Sequence, residues 1–518
     1  MTSKRVLTSI FMLFVAATLT ACGGGGSTGT SVTPGTLLEN PPLRVASFNA
    51  TDITNSLTTT ANGQGLLAIA GTPVCGIDYH YIRYATIGGA PNESTTATGV
   101  LMVPTGSAAS CTGPRPIVLY AHGTSTEKSF NLAAVGDMTN DAYSQSELIA
   151  AMFAAQGYIV VAPNYAGYDA SPLPYHPYMN ANQQSNEMID ALTAARSALG
   201  RIVAAGTTDN GKLFITGYSQ GGHVAMATQR ALEALGKTVT ASAPMSGPYA
   251  MEAMGDAVVL GQVNLLSTVF VPMIVTSYQK SYGGLYAATT DFYEAAYATG
   301  IDSLLPSTTP LNSLFTQNKL PSLALFSSTT PVSGNATLDA ALAIPSNSLY
   351  ASGFGVSNLV KNSMRVAYAQ DALANPDGAL STGAPLATNP IYPLRAKLKL
   401  NDMRNGGFVP KAPTLLCGGK DDPMVFFSVN TGTMQAFWAP LNLPAGLVTV
   451  LDLEAPTGGN DPFATAKAGF AQQKVAIAAQ AVAAGATDGG LSAVTQIYHG
   501  QLLPPFCTAA ARGFFSQF

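Results

Sequence analysis

From residue 77 onward, short apolar runs alternate with stretches in which apolar residues recur every three or four positions. Ile77–Ile87 alternates and carries aromatics, which predicts a strand, and Thr98–Val103 predicts its hairpin partner across Gly88-Gly89-Ala90-Pro91-Asn92. Pro116–Ala121 (PIVLYA) and Tyr158–Ala162 (YIVVA) have the length and β-branched content of buried strands, with a helix predicted over Glu147–Gln156 between them. Met188, Leu192, Ala195, Leu199 and Ile202 share one helical face and predict a helix over Glu187–Ala205. Leu213–Thr216 predicts a further strand. The helix after it is expected to bury Val224, Ala231 and Leu235 and to be closed by Gly236. Thr238–Ala243 predicts one more strand. Strands and helices alternating in this order predict an α/β class fold with a doubly wound, mostly parallel sheet.

The rhythm stops after Ser246-Gly247-Pro248 and returns with Pro413–Cys417, a helix near Phe426–Trp438, Leu447–Leu453, a helix over Phe463–Ala483 and a closing helix over Thr508–Phe518. A gap of about 150 residues is too long for plain loop. Residues 248–400 are therefore expected to form a large, mainly helical cap insertion; an independent C-terminal domain is the alternative. Leu43–Gly71 is expected to be helical or irregular decoration, so residues 43–518 form the main domain.

The first residues carry an address. Lys4 and Arg5 precede an apolar run, Val6 to Leu19, too short to span a bilayer as a mature helix. Leu19-Thr20-Ala21-Cys22, followed by Gly23-Gly24-Gly25-Gly26-Ser27, resembles a bacterial lipoprotein signal. The resemblance implies a signal peptide over residues 1–21, lipidation of Cys22 and a flexible Gly/Ser/Thr tether over 22–42. An ordinary secretory signal is the alternative, and either one exports the protein. The absence of Asp at position 23 favours an outer-membrane destination in a Gram-negative host.

Composition changes the picture in two ways. Hydrophobic residues make up 47% of the chain, charged residues 10%, and the net charge is −4 with no basic run, which argues against a nucleic-acid partner. Apart from Cys22 there are Cys75, Cys111, Cys417 and Cys507, an even set that predicts two disulfides in an exported chain. Three pairings are open. Proximity favours Cys75–Cys111, which leaves Cys417–Cys507. No C-x-x-C spacing points to a metal site.

Candidate chemistry centres on Lys212–Gly222 (KLFITGYSQGG), where a strand runs through Gly217-Tyr218-Ser219-Gln220-Gly221 into a helix. That context is the one a nucleophile elbow requires, with Ser219 at the apex and glycines where a Cβ would collide with a neighbouring element. A serine hydroxyl needs a base, and the base needs an orienting acid. The chain has 5 histidines. His80 is in an early strand, His122 heads an HG pair, His176 lies in a Pro/Tyr loop, and His223 is too close to Ser219 in sequence. His499 remains. For the acid, the strand Leu415-Leu416-Cys417 ends in a turn carrying Asp421 and Asp422, with Asp452 a more distant option. The oxyanion of an acyl transfer needs N–H donors: Gln220, directly after Ser219, and one from His122-Gly123-Thr124-Ser125, either Thr124 or Gly123.

GYSQGG around Ser219, the His122–Thr124 loop, the Asp422 turn and His499 together resemble the α/β-hydrolase fold superfamily. Pro163–Asp169 (PNYAGYD) and the long cap resemble its secreted bacterial lipase/esterase branch. The order Ser219…Asp422…His499 is that superfamily's order, and Asp422-Pro423-Met424-Val425 fits the D-x-x-V of many of its members, which favours Asp422 over Asp421. The resemblance implies hydrolysis of small-molecule, lipid or polymeric carboxylic esters through an acyl-enzyme, with no metal or cofactor. The HG pair lacks the glycine run of HGGG-type esterases, so the second oxyanion donor stays open. Two other readings are a serine exopeptidase on the same fold and a non-catalytic surface binding protein. The exopeptidase would need carboxylates to hold a substrate amine, and no acidic cluster stands out in the sequence of the cap.

Overall fold

β-branched and aromatic residues bounded by turn formers make the sheet strands where the alternation predicts them, with ends displaced by a few residues. The computed structural model describes residues 32–202 and 206–518. Residues 33–518 are compact as one unit. In chain order the strands are β1 (Leu43–Phe48), β2 (Gly76–Ile87), β3 (Ser94–Thr105), β4 (Gly113–Ala121), β5 (Ile159–Pro163), β6 (Thr207–Tyr218) and β7 (Ala241–Met245). The short β8 (Phe326–Ser327) and β9 (Phe354–Gly355) pair with each other, and β10 (Thr414–Gly418) and β11 (Val448–Asp452) complete the main sheet. Its 9 strands run in the order β1-β2-β3-β5-β4-β6-β7-β10-β11. β1, β2, β3 and β5 pair antiparallel, and every later pair is parallel. All residues of β5, β7 and β10 are buried, as expected of parallel strands covered by helices on both faces.

Two expectations at the N-terminal side are corrected. Leu43–Phe48 is a strand rather than helical or irregular decoration, although the helices Ala50–Thr58 and Ala61–Ala70 follow it. The tether expected over 22–42 does not extend to residue 42. Gly35 and Leu38 donate backbone hydrogen bonds to Ala85 and Arg83 at 2.8 Å, and Glu39 pairs with Arg83 at 2.9 Å. The physical reason is the edge of β2: β1 pairs with Ile77–Tyr81 only, and the remaining edge groups need partners. The signal peptide and Cys22 lie outside the described residues.

Between β7 and β10 the chain is mainly helical, with Met251–Val259, Ser267–Tyr282, Asn362–Ala374 and Pro393–Asn401 as its longest helices. It has an apolar core of its own, which includes Val259, Val275, Phe292, Leu342, Val360 and Tyr368. Tyr178 and Met179, from the Pro/Tyr loop after β5, belong to that second core and join it to the sheet. Among the described residues no helix is long and apolar enough to cross a membrane.

Candidate active site

The elbow is built from close approaches that glycine alone permits. A Cβ on Gly217 would lie 2.3 Å from the Gly221 carbonyl oxygen, and one on Gly221 would lie 2.0 Å from that of Ala121. Ser219 caps the Gln220–Ala234 helix at φ 60°, ψ −122°. A non-glycine residue held there stores about 1–3 kcal/mol, which the surrounding hydrogen bonds must offset. One of these runs from the Ser219 N–H to the Met245 carbonyl at the end of β7, at 3.0 Å. Ser219 is left partly exposed at the carboxyl end of the sheet, where open α/β sheets bind ligands.

Two other segments converge there. Asp422 follows β10, buried, with Oδ1 accepting the N–H groups of Met424 at 2.9 Å and Val425 at 3.0 Å. His499 lies in a wide turn, Tyr498–Leu502, between the helices Leu491–Ile497 and Leu503–Phe515. Its Nδ1 is 2.7 Å from Asp422 Oδ2 and its Nε2 is 2.8 Å from Ser219 Oγ. With the Nδ1–H donating to the carboxylate, Nε2 is left to accept the Ser219 hydroxyl proton. Asp421 is half exposed and pairs with Lys474 at 3.1 Å, while Asp452 accepts the N–H groups of Lys420 and Glu454. Neither reaches the imidazole. Ser246, at the end of β7, donates to Asp422 Oδ2 at 2.7 Å, and the Tyr218 hydroxyl donates to the His499 carbonyl, also at 2.7 Å.

The other histidines take no part in these contacts. His223 Nε2 faces the Asn401 carbonyl at 2.9 Å, and burial lowers its pKa to about 4. His80 belongs to β2 in the main sheet, where burial lowers its pKa. His122 packs between Phe130 and Tyr165 and contacts the Gly123 carbonyl through Nδ1 at 2.6 Å, which holds the loop after β4. His176 Nδ1 contacts the Ala166 carbonyl at 2.9 Å, and its Nε2 meets the Gln220 side-chain amide at 2.7 Å. Burial keeps His176 neutral, with a pKa near 3, so Nε2 accepts from Gln220.

As the first helical residue after Ser219, Gln220 has no intrahelical partner for its N–H. A Cβ on Gly123 would lie 3.8 Å from Ser219 Cβ, so the His122–Thr124 loop flanks the elbow as the sequence suggests. Thr124 Oγ1 is 2.7 Å from the Tyr178 hydroxyl. Both disulfides form as proximity predicts, Cys75–Cys111 and Cys417–Cys507, and the second joins β10 to the helix after His499.

Ser219 opens into a cavity of about 880 Å³, its mouth included. Met251, Met254 and Val258 line it from one helix, Phe270, Val271 and Ile274 from another, and Tyr178 and Met179 from the Pro/Tyr loop. None of the lining residues is charged. Sequence reasoning missed this lining because it is spread over more than a hundred residues without βα rhythm. It also missed an acidic cluster in the insertion. Glu252, Asp256 and Asp371 surround Arg395, and Asp377 and Asp402 hold Arg404. Their separation in sequence hides the cluster. Its carboxylates lie outside the cavity lining, and burial, then Asp377, pushes the Glu252 pKa up to about 8.

The sequence pattern of the prolyl oligopeptidase family matches residues 143–262, a span that holds Ser219 and ends before Asp422 and His499. No curated protein sequence matches the chain. Among solved structures, the rice cell wall degrading esterase LipA from Xanthomonas oryzae is 26% identical over 81% of this chain and 91% of that one, with a TM-score of 0.61. A ligand-bound form of that esterase matches at 25% identity, over 81% of this chain and 91% of that one, also with a TM-score of 0.61. A Legionella pneumophila protein, 20% identical over 80% of this chain and 91% of its own, shares the fold with a TM-score of 0.57. The chain is a serine hydrolase of the α/β-hydrolase superfamily and resembles bacterial esterases.

Proposed function

We propose that the protein is an exported esterase that hydrolyses carboxylic esters with apolar acyl or aryl groups. Ser219 attacks the ester carbonyl as its proton passes to His499 Nε2. Asp422 holds the imidazole in the Nδ1–H tautomer and stabilises the imidazolium that forms. The N–H of Gln220 and one from the Gly123–Thr124 loop hold the oxyanion. His499 then protonates the departing alcohol, and a water deprotonated by His499 releases the acid and restores Ser219. These steps call on no metal or cofactor.

The observation that carries the ester reading is the uncharged lining of the cavity above Ser219. An apolar acyl chain gains by burial there, about 0.8 kcal/mol per methylene. A substrate ammonium would lose its hydration without a carboxylate to replace it. The prolyl oligopeptidase match favours the rival exopeptidase reading. The acidic cluster in the insertion does not strengthen that reading, since none of its carboxylates lines the cavity. A purely binding role would not need the Ser219–His499–Asp422 contacts.

Export is supported by the two disulfides, which persist in oxidising compartments. The Leu19–Cys22 motif supports a lipid anchor at Cys22, and through it a membrane partner. The deciding experiment compares p-nitrophenyl butyrate with an aminoacyl p-nitroanilide, using the parent protein and Ser219→Ala. Turnover of the ester alone, lost in the variant, is the expected result. Preferential turnover of the anilide, or full ester activity in Ser219→Ala, overturns the reading.

A further inference from the structure

We propose that Ser246 positions the Asp422 carboxylate and thereby sets how firmly Asp422 holds the His499 imidazole. This inference rests on the esterase reading above, in which His499 is the base.

The geometry is specific. Asp422 Oδ2 lies 2.7 Å from His499 Nδ1 and accepts the Ser246 hydroxyl at the same distance. Oδ1 is taken up by two backbone N–H groups, from Met424 and Val425. Ser246 is therefore the one side chain besides His499 among the described residues that hydrogen-bonds this carboxylate. It restrains the oxygen that faces the imidazole, and backbone donors restrain the other.

Ser246 is itself held for this task. It is a buried residue at φ 42°, in the left-handed region where a non-glycine residue is uncommon. Its N–H donates to the Cys417 carbonyl at 2.7 Å, across the gap between β7 and β10. The same residue thus touches the acid turn by its side chain and the acid strand by its backbone. Strained backbone that persists inside a well-bonded frame points to function.

The chemical consequence has a definite sign. A hydroxyl that donates to Oδ2 withdraws some of the negative charge available to the imidazolium. Removing it leaves a more strongly attracting but less well oriented carboxylate. The His499 ring then spends less time aligned with Ser219. The other ionisable groups around the pair are Tyr218 on the elbow strand, Tyr498 beside His499, and the Asp421, Lys474 and Glu454 group on the rim. Burial raises the pKa of both tyrosine hydroxyls far above their ordinary value, so neither titrates across neutral pH.

The test is the steady-state kcat and KM of p-nitrophenyl butyrate hydrolysis by the full chain, for the parent, Ser246→Ala and Ser246→Gly, beside Ser219→Ala and Asp422→Asn. Glycine suits φ 42°, so Ser246→Gly removes the hydroxyl without backbone strain and carries the measurement should the alanine variant fail to fold. Both Ser246 variants are expected to lose roughly tenfold in kcat with KM nearly unchanged. A kcat within twofold of the parent overturns the proposal, even if thermal stability falls, because a merely structural hydroxyl would change stability alone. If Ser219→Ala or Asp422→Asn keeps the parent rate, it is the esterase reading that falls. If those two are inactive and the Ser246 variants behave like the parent, only the role of Ser246 falls.

Discussion

The Tyr218 hydroxyl donates to the backbone carbonyl of His499 at 2.7 Å, so the residue before Ser219 holds the chain of the residue that Ser219 must reach. Serine and histidine are separated by 280 positions in sequence, and this contact ties the elbow to the C-terminal turn directly. Tyr218→Phe keeps the ring and removes the donor. It is expected to cost about 1 kcal/mol of stability and to lower kcat several-fold, because the turn carrying His499 relaxes. Steady-state kinetics with a thermal melt would check both parts.

Ser219 sits at φ 60°, where glycine is at ease and serine is not. Ser219→Gly should abolish ester hydrolysis while leaving the protein at least as stable as the parent, with a gain of up to about 1 kcal/mol. Ser219→Ala keeps a Cβ and so keeps the strain. A denaturant series on the parent and both variants would reveal the ordering, and a glycine variant that melts well below the alanine variant would contradict it.

The two disulfides differ in what they tie. Cys75–Cys111 lies near the antiparallel side of the sheet, and Cys417–Cys507 closes a span of 90 residues between the acid strand and the helix after His499. Replacing either pair by alanine is expected to cost about 2–5 kcal/mol. Only the loss of Cys417–Cys507 should also lower kcat at a temperature where both variants are folded. Equal kcat values for the two variants would show that the second bridge does not support the site.

Only the elbow is a local signal, a strand entering G-x-S-x-G; His499 is reached by elimination among the histidines, and Asp422 is favoured over Asp421 by the family resemblance of Asp422-Pro423-Met424-Val425. Ser246 was in view as the residue where the rhythm stops, but its partner is 176 positions away and nothing local announces the contact. The ends of parallel strands are where such partners gather, so Ser246-Gly247-Pro248 after β7 was the usable signal. The strand at Leu43–Phe48 was missed because its pattern is weak: it is an edge strand with little burial. The insertion was legible as helical mass but not as a cavity, since no period in the sequence marks which apolar residues face Ser219.

Glu187 gives a pH dependence of stability with a fixed sign. It is fully buried, and desolvation pushes its pKa up to about 8 from an ordinary 4.5, despite hydrogen bonds from Gln183 and Tyr84. The folded state therefore favours the protonated acid. Its contribution is fully present below pH 4.5 and is lost as the pH rises through 8, on the order of a few kcal/mol in all. Glu187→Gln cannot ionise. Measured against the parent, it should gain relative stability between pH 5 and pH 9, as shown by chemical denaturation at about four pH values across that range. A difference that stays constant with pH would mean that Glu187 does not titrate in the folded protein.

The uncharged cavity predicts how rate depends on the acyl group. Phe270, Val271 and Ile274 lie on successive turns of one helix and face the same space as Ser219. A chain that extends into this space should gain in kcat/KM with each added methylene until it reaches the far wall, by up to about fourfold per step if burial is complete. Ile274→Asp places a carboxylate in that path. Its cost should appear with p-nitrophenyl octanoate, as a loss of at least about tenfold, and be small with the acetate, whose acyl group adds only one methyl. If both esters suffer equally, the variant has disturbed Ser219 rather than the acyl path. If neither does, the acyl chain lies elsewhere, and the cavity belongs to the alcohol side of the ester.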